Sequence, residues 1–249
     1  MADAAAAFSR IDLKTHALLF DVDGTLLDFA DDPELVVVPG ELIEDLKRLH
    51  QRAGGAVAFV SGRQISVLDR LFTPLQLPAV GGHGAEFRDG SLKIQQRVPD
   101  LPLAMRERLR KEGLAIGIEP KKLEDKLYSF ALHYRIAPHL KEAVSDIVQR
   151  VRAEFPQVET GLQTGSNVLE LRHPNARKEL GSRELLRRAP FAGRIPVFVG
   201  DDDTDMALLK GMPDLSGIGF SVKRALEGVS GIFPDPAAFR AALRALAQS

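Results

Sequence analysis

The stretch HALLFDVDGTLLDF, residues 16–29, constrains this chain more than any other. An apolar run over residues 17–20 stops at Asp21; Asp23 follows, then Gly24 and Thr25. A buried strand that ends in two carboxylates beside a glycine turn needs something to offset the charge. A metal ion and a phosphate are the natural partners. One carboxylate can then attack phosphorus while the other handles a proton.

The surrounding pattern predicts the scaffold. Residues 39–54 carry Leu42, Leu46 and Leu49 at helical spacing, with Gly54-Gly55 as a stop. Residues 56–60 are a second apolar run, ending in Ser61-Gly62-Arg63, and a helical pattern follows through Ile65, Leu68 and Leu71. Residues 78–80 then lead into GGHGAEF. Continuous apolar strands joined by helices indicate a parallel sheet covered on both faces, with ligands beyond the carboxyl ends of its strands. The pattern returns after Pro174: a helix over 177–188, a strand over 196–199 running into GDDDTD, short strands at 217–220 and 231–233, and a final helix over 236–247. Between them the character changes. Residues 101–113 and 139–155 read as helices; 126–135 and 168–172 alternate with period two. The expected fold is α/β: a Rossmann-like doubly wound parallel-sheet core, residues 1–98 and 174–249, with an inserted α+β cap domain, 99–173.

Composition excludes several classes. Lys plus Arg is 33 against 34 for Asp plus Glu, with no basic block, which argues against nucleic acid as a partner. With no cysteine, disulfides, zinc–thiolate sites and thiol catalysis are excluded. No apolar run approaches the roughly 20 residues that span a bilayer. The start, MADAAAAFSR, lacks the basic region of a signal peptide, and residues 1–12 read as a frayed leader. A cytoplasmic protein, monomeric or weakly dimeric, is the expectation.

If the strands before Asp21 and before GDDDTD are neighbours, up to six carboxylates converge: Asp21, Asp23, Asp201, Asp202, Asp203 and Asp205. Their repulsion calls for a divalent cation, and hard oxygen ligands favour Mg2+. The plainer alternative is that each cluster is a turn or a helix cap. Asp21 would serve as nucleophile and Asp23 as acid/base. Ser61 would offer a hydroxyl to a phosphate oxygen and Gly62 would let backbone come close, unless the pair is a simple turn. Lys178 is the candidate cation for the phosphoryl group, although among Arg172, Arg177, Arg183, Arg187 and Arg188 it also reads as a solvated helix lysine.

These motifs, DVDGTLLDF, SGR, a lysine after an insertion and GDDxTD, span nearly the whole chain and resemble, in their order, the haloacid dehalogenase superfamily of phosphohydrolases. The resemblance implies that Ser61, Gly62 and Lys178 bind phosphate. It implies that Mg2+ is held by Asp21, Asp201 and the main-chain carbonyl of Asp23, with Asp202 and Asp205 in support. The acid at position 23 points to a phosphatase or phosphomutase. Three further stretches, GGHGAEFRDG, LEDKLYSFALHYR and VLELR, resemble the trehalose-6-phosphate phosphatase family. By that resemblance Glu124, Lys126 and Glu170 bind sugar hydroxyls, and Arg63 and His83 join the substrate-binding residues; His83 reads equally as a structural histidine of a tight glycine turn. Alternation supports Glu170, opposite Leu169 and Leu171. It gives Lys126 the parity of Tyr128 and Phe130, so Lys126 qualifies only at the strand's entry. The chain departs from the family at Met206, where Glu is usual, and at PNARKEL, where Asn-Lys-Gly is common; Lys178 remains the better match for the lysine, with Arg177 adjacent. The implied partner is a small sugar phosphate. The alternatives are phosphatases of sucrose 6-phosphate, mannosyl-phosphoglycerate or glucosylglycerol phosphate, a mutase, or a non-catalytic sugar-phosphate binder.

Overall fold

The computed structural model describes residues 3–28, 36–165 and 167–249; Phe29, which ends the opening motif, lies outside them, as do the first two residues of the expected leader. The chain divides into two compact units, Met1–Arg97 with Arg177–Ser249, and Val98–Ala176. It begins α1 (Ala4–Phe8), β1 (His16–Phe20), α2 (Gly40–Arg52), β2 (Val57–Val60), α3 (Ile65–Leu71), β3 (Ala79–Gly81), β4 (Glu86–Arg88) and β5 (Ile94–Gln96). The inserted segment is α4 (Leu103–Ala115), β6 (Leu123–Asp125), β7 (Ser129–His133), α5 (Lys141–Glu154), β8 (Gly161–Gly165) and β9 (Val168–Arg172). The return is α6 (Lys178–Leu185), β10 (Ile195–Gly200), α7 (Met206–Lys210), β11 (Ile218–Val222), β12 (Gly231–Phe233) and α8 (Pro236–Gln248).

In the first unit the described strands form one sheet, ordered β12-β11-β10-β1-β2-β3-β4-β5. From β12 to β3 every pairing is parallel. Strand parity decides which face each side chain covers. Leu18, Phe20, Val57, Phe59, Val197 and Val199 pack into one cluster with residues of α1, α2, α3 and α8. Ala17, Leu19, Ala58, Val60 and Phe198 pack into another with Leu185 of α6 and Leu208 and Leu209 of α7. Both faces are therefore dry, as the continuous apolar runs require, and polar side chains are expelled to the strand ends.

One sequence expectation fails in this unit. Residues 4–8 are a short helix and not a frayed leader: Asp3 accepts from the Ala5 N–H at 3.0 Å and caps it. Phe8 is fully buried, edge-on to Phe220, Phe233 and Phe239 at centroid distances of 5.5–5.8 Å. Burying a ring of that size contributes about 1.5–3 kcal/mol, enough to dock a segment too short to hold helical structure alone. The sheet also continues past β3 through antiparallel β4 and β5. Arg88 anchors that extension, forking onto both Asp69 oxygens at 2.7 Å.

The second unit is an antiparallel sheet, β6-β7-β9-β8, with α4 and α5 contributing to a common core. Phe130, Leu132, Leu169 and Leu171 join Met105, Leu109, Val144, Ile147, Val148 and Val151 in it. The expected single strand over 126–135 is instead a hairpin turn followed by β7. Leu127 takes a left-handed φ of 69°, so Lys126 lies before the regular pairing and escapes the parity of Phe130.

Candidate active site

Adjacency of β1 and β10 creates the site. Phe20 pairs with Val199, and the Asp21 N–H donates to the Val199 carbonyl at 2.9 Å. Asp21 thus leaves its strand level with the start of the second acidic loop. Carboxylate oxygens of Asp21, Asp201 and Asp205 all lie within 4.8 Å of one another. Gly24, at φ +86°, makes this possible: a Cβ there would fall 2.2 Å from Asp201 Oδ2. Thr25 Oγ1 donates to Asp201 Oδ1 at 3.3 Å.

Asp205 holds the second loop in shape. Its Oδ2 accepts from the N–H groups of Asp201 and Asp202 at 3.1 and 3.3 Å. Asp202 accepts from the Thr204 N–H and hydroxyl at 2.9 and 2.6 Å. Asp203 does not join the cluster; it is exposed and pairs with Arg224. Of the two candidate cations, Lys178 reaches the centre: its buried ammonium donates to Asp21 Oδ1 at 2.7 Å and Asp205 Oδ1 at 2.8 Å. Arg177 is half exposed and pairs with Glu179 at 3.0 Å.

The charges do not balance. Burial pushes Asp21 up to about 8, with Lys178 opposing and Asp201 and Asp202 adding. Burial raises Asp205 to about 8 and Asp201 to about 6 as well. Asp202 is held below the usual range, because Lys178 and Thr204 outweigh its burial. Lys178 goes well above its ordinary value: its burial is overcome by Asp205 and Asp21. Clustered hard oxygen donors whose ionisation is this costly suit a divalent cation.

A stability prediction follows. Without metal, Asp21, Asp205 and Asp201 bind protons more tightly folded than at their ordinary 3.8. Their share of stability is present at low pH and lost as pH rises through about 6 and then about 8. Chelator-treated protein should melt lower at pH 9 than at pH 6. Saturating Mg2+ should raise the melting temperature by roughly 5–10 °C, more at the higher pH. A melting temperature indifferent to both would mean the carboxylates bind no cation.

The β2 loop supplies the other wall. Ser61 is buried, and its Oγ accepts from the Arg63 N–H at 3.1 Å. The His83 N–H donates to the Ser61 carbonyl at 3.0 Å, and His83 itself is left-handed, φ 54°. The space that Gly62 leaves open is taken by the His83 imidazole: a Cβ on Gly62 would lie 2.4 Å from Nε2. Arg63 forks onto Asp23, with Nε–Oδ2 and Nη2–Oδ1 both 2.7 Å. Glu86 Oε1 accepts from the Ile65 N–H at 2.5 Å, and burial raises its pKa.

In the inserted unit, Glu124, Ala131, Glu170 and Gln163 stand side by side across the four strands. Lys126 Nζ lies 3.2 Å from Glu170 Oε1 and 3.6 Å from Glu124 Oε2. Burial opposes the charge on Lys126, but the two glutamates overcome it and raise its pKa. Ser129 Oγ donates to Glu170 at 2.6 Å, and His133 Nε2 lies 3.2 Å from Glu124. Glu124, Lys126 and Glu170 are therefore one cluster on the face away from α4 and α5. Ser129 belongs to the same cluster, and its parity with Ala131, opposite Phe130, is the sequence signal that places it there.

The sequence matches the trehalose-phosphatase family over residues 19–225. It is 36% identical over 217 residues to the trehalose-6-phosphate phosphatase of Escherichia coli K12, covering 86% of this chain and 76% of that one. It is 34% identical over 244 residues to a probable trehalose-phosphate phosphatase of Sinorhizobium fredii NGR234, covering 95% and 89%. In fold it is similar to the C-terminal domain of Candida albicans trehalose-6-phosphate phosphatase, with a TM-score of 0.78, 18% identity and coverage of 98% and 97%. With its acidic centre lying inside the matched span, the chain belongs to the trehalose-phosphatase family.

Proposed function

We propose that this chain hydrolyses trehalose 6-phosphate to trehalose and phosphate with Mg2+ as cofactor. The observation that carries the reading is Asp21 at the end of β1, held by Lys178 beside Asp201 and Asp205. Mg2+, bound by Asp21, Asp201 and the Asp23 main-chain carbonyl with Asp202 and Asp205 in support, would supply charge neutralisation at the phosphoryl group. Asp21 Oδ attacks phosphorus and forms an aspartyl-phosphate. As the P–O bond to the sugar breaks, Asp23 gives its proton to the leaving oxygen and trehalose departs. Asp23 then takes a proton from water, whose oxygen attacks phosphorus and releases phosphate and the Asp21 carboxylate. Ser61 and Lys178 hold the phosphoryl oxygens through transfer.

Glu124, Lys126 and Glu170 supply sugar recognition: two carboxylates accept hydroxyls and an ammonium donates. The names of the curated relatives support the disaccharide. Phosphate release should be fastest from trehalose 6-phosphate in a panel with sucrose 6-phosphate, mannosyl-phosphoglycerate and glucosylglycerol phosphate. Glu170→Ala should lower kcat/KM on trehalose 6-phosphate about 10- to 100-fold more than on p-nitrophenyl phosphate. Equal losses on both would remove the inserted unit from sugar recognition.

A further inference from the structure

Arg63 sits where a substrate ligand is expected, yet its guanidinium forks onto Asp23. Both contacts are 2.7 Å, in the two-pronged geometry, and the side chains are 14% and 28% exposed. Each carboxylate oxygen has about two lone-pair sites, so the fork takes one from each oxygen and leaves one on each. The main chain of Asp23 is fixed from the other side: Asp23 forms a bridge to Leu27, whose carbonyl accepts from the Gly24 N–H at 2.8 Å. What the backbone cannot fix is the carboxylate plane, because an aspartate's terminal torsion is broad.

We infer that Arg63 is a positioning residue for Asp23: its fork sets the plane in which Asp23 passes a proton to the leaving oxygen. This rests on the reading of Asp23 as the proton-transfer residue. Arg63 comes from the turn that carries Ser61, whose Oγ accepts its N–H at 3.1 Å. One loop therefore places a phosphate hydroxyl and orients the acid.

Leaving-group dependence tests the inference. An acid matters for a sugar alkoxide and hardly at all for dinitrophenolate, and kcat/KM reports the step in which that group leaves. Arg63→Lys keeps the charge and loses the fork; Arg63→Met removes both. With Mg2+ present, each should lose about 10- to 100-fold more kcat/KM on trehalose 6-phosphate than on 2,4-dinitrophenyl phosphate, through kcat. Turnover of the dinitrophenyl ester checks that each variant is folded. In an Asp23→Asn background Arg63→Lys should add less than about twofold, because it acts through Asp23. A rise in KM with kcat kept would make Arg63 a substrate ligand and overturn the inference, as would losses independent of leaving group or additive with Asp23→Asn. If Asp23→Asn alone shows no leaving-group dependence, the reading of Asp23 as acid falls and takes the inference with it. If Asp23→Asn is steep and Arg63→Lys flat, only the inference falls.

Discussion

Asp21→Asn should abolish phosphate release from trehalose 6-phosphate and from aryl phosphates alike, by about 10⁴-fold or more. Asparagine has the size of the aspartate and lacks the anionic oxygen that must bond to phosphorus. The loss should come without unfolding. Asp21 is buried among Asp201, Asp202 and Asp205, and its pKa rises to about 8 because its charge is unwelcome there. A neutral amide removes that repulsion, so metal-free Asp21→Asn should melt at or above the wild-type temperature at pH 9. Lys178 keeps Asp205 as a partner. Stability kept and turnover lost is the signature of a group retained for chemistry at a cost in stability. Wild-type turnover in this variant would move the nucleophile elsewhere.

Lys178→Met should damage both properties. It removes the ammonium between two buried carboxylates. Breaking such a pair costs about 3–5 kcal/mol, or a fall of roughly 6–20 °C in melting temperature for a domain of this size. The fall should be smaller at pH 5 than at pH 8, because protonation of Asp21 and Asp205 removes the stranded charge. Turnover should drop about 10³-fold with loss of the cation at the phosphoryl group. Arg177→Ala serves as the neighbouring control: an exposed ion pair is worth about 0–1 kcal/mol. A larger loss from Arg177 than from Lys178 would reverse their roles.

The parts legible in sequence were those with a periodic or chemical signature. Dry strands over 17–20, 56–60 and 196–199 had nowhere to go but a sheet covered on both faces, and the carboxylates that follow 17–20 and 196–199 mark strand exits. The parts that were not legible depend on partners distant in the chain. Nothing in AAAAF announces that Phe8 meets Phe220, Phe233 and Phe239. The β5 segment is largely exposed and has no apolar pattern to betray it. Lys126 has the parity of the core side until Leu127 turns left-handed and releases it. The resemblance puts Arg63 among the substrate-binding residues; only the fold brings its fork onto Asp23. Choice between Arg177 and Lys178 likewise waited on which one the helix start buries.

The neighbouring places of β1 and β10 also bear on how the centre comes into being. Asp21 and Lys178 are 157 positions apart, and Thr25 and Asp201 are 176 apart. The bonds that tie the end of β1 to the return segment therefore close long loops of chain, whose closure entropy must be met before they form. Local helices and the inserted hairpins close only short loops. A nascent chain carries Asp21 from the first strand onward, yet lacks Asp201, Asp205 and Lys178 until the return segment lies beside it. The grouping of Asp21, Asp201, Asp205 and Lys178 is thus a report of finished topology: it exists only once β10 lies beside β1.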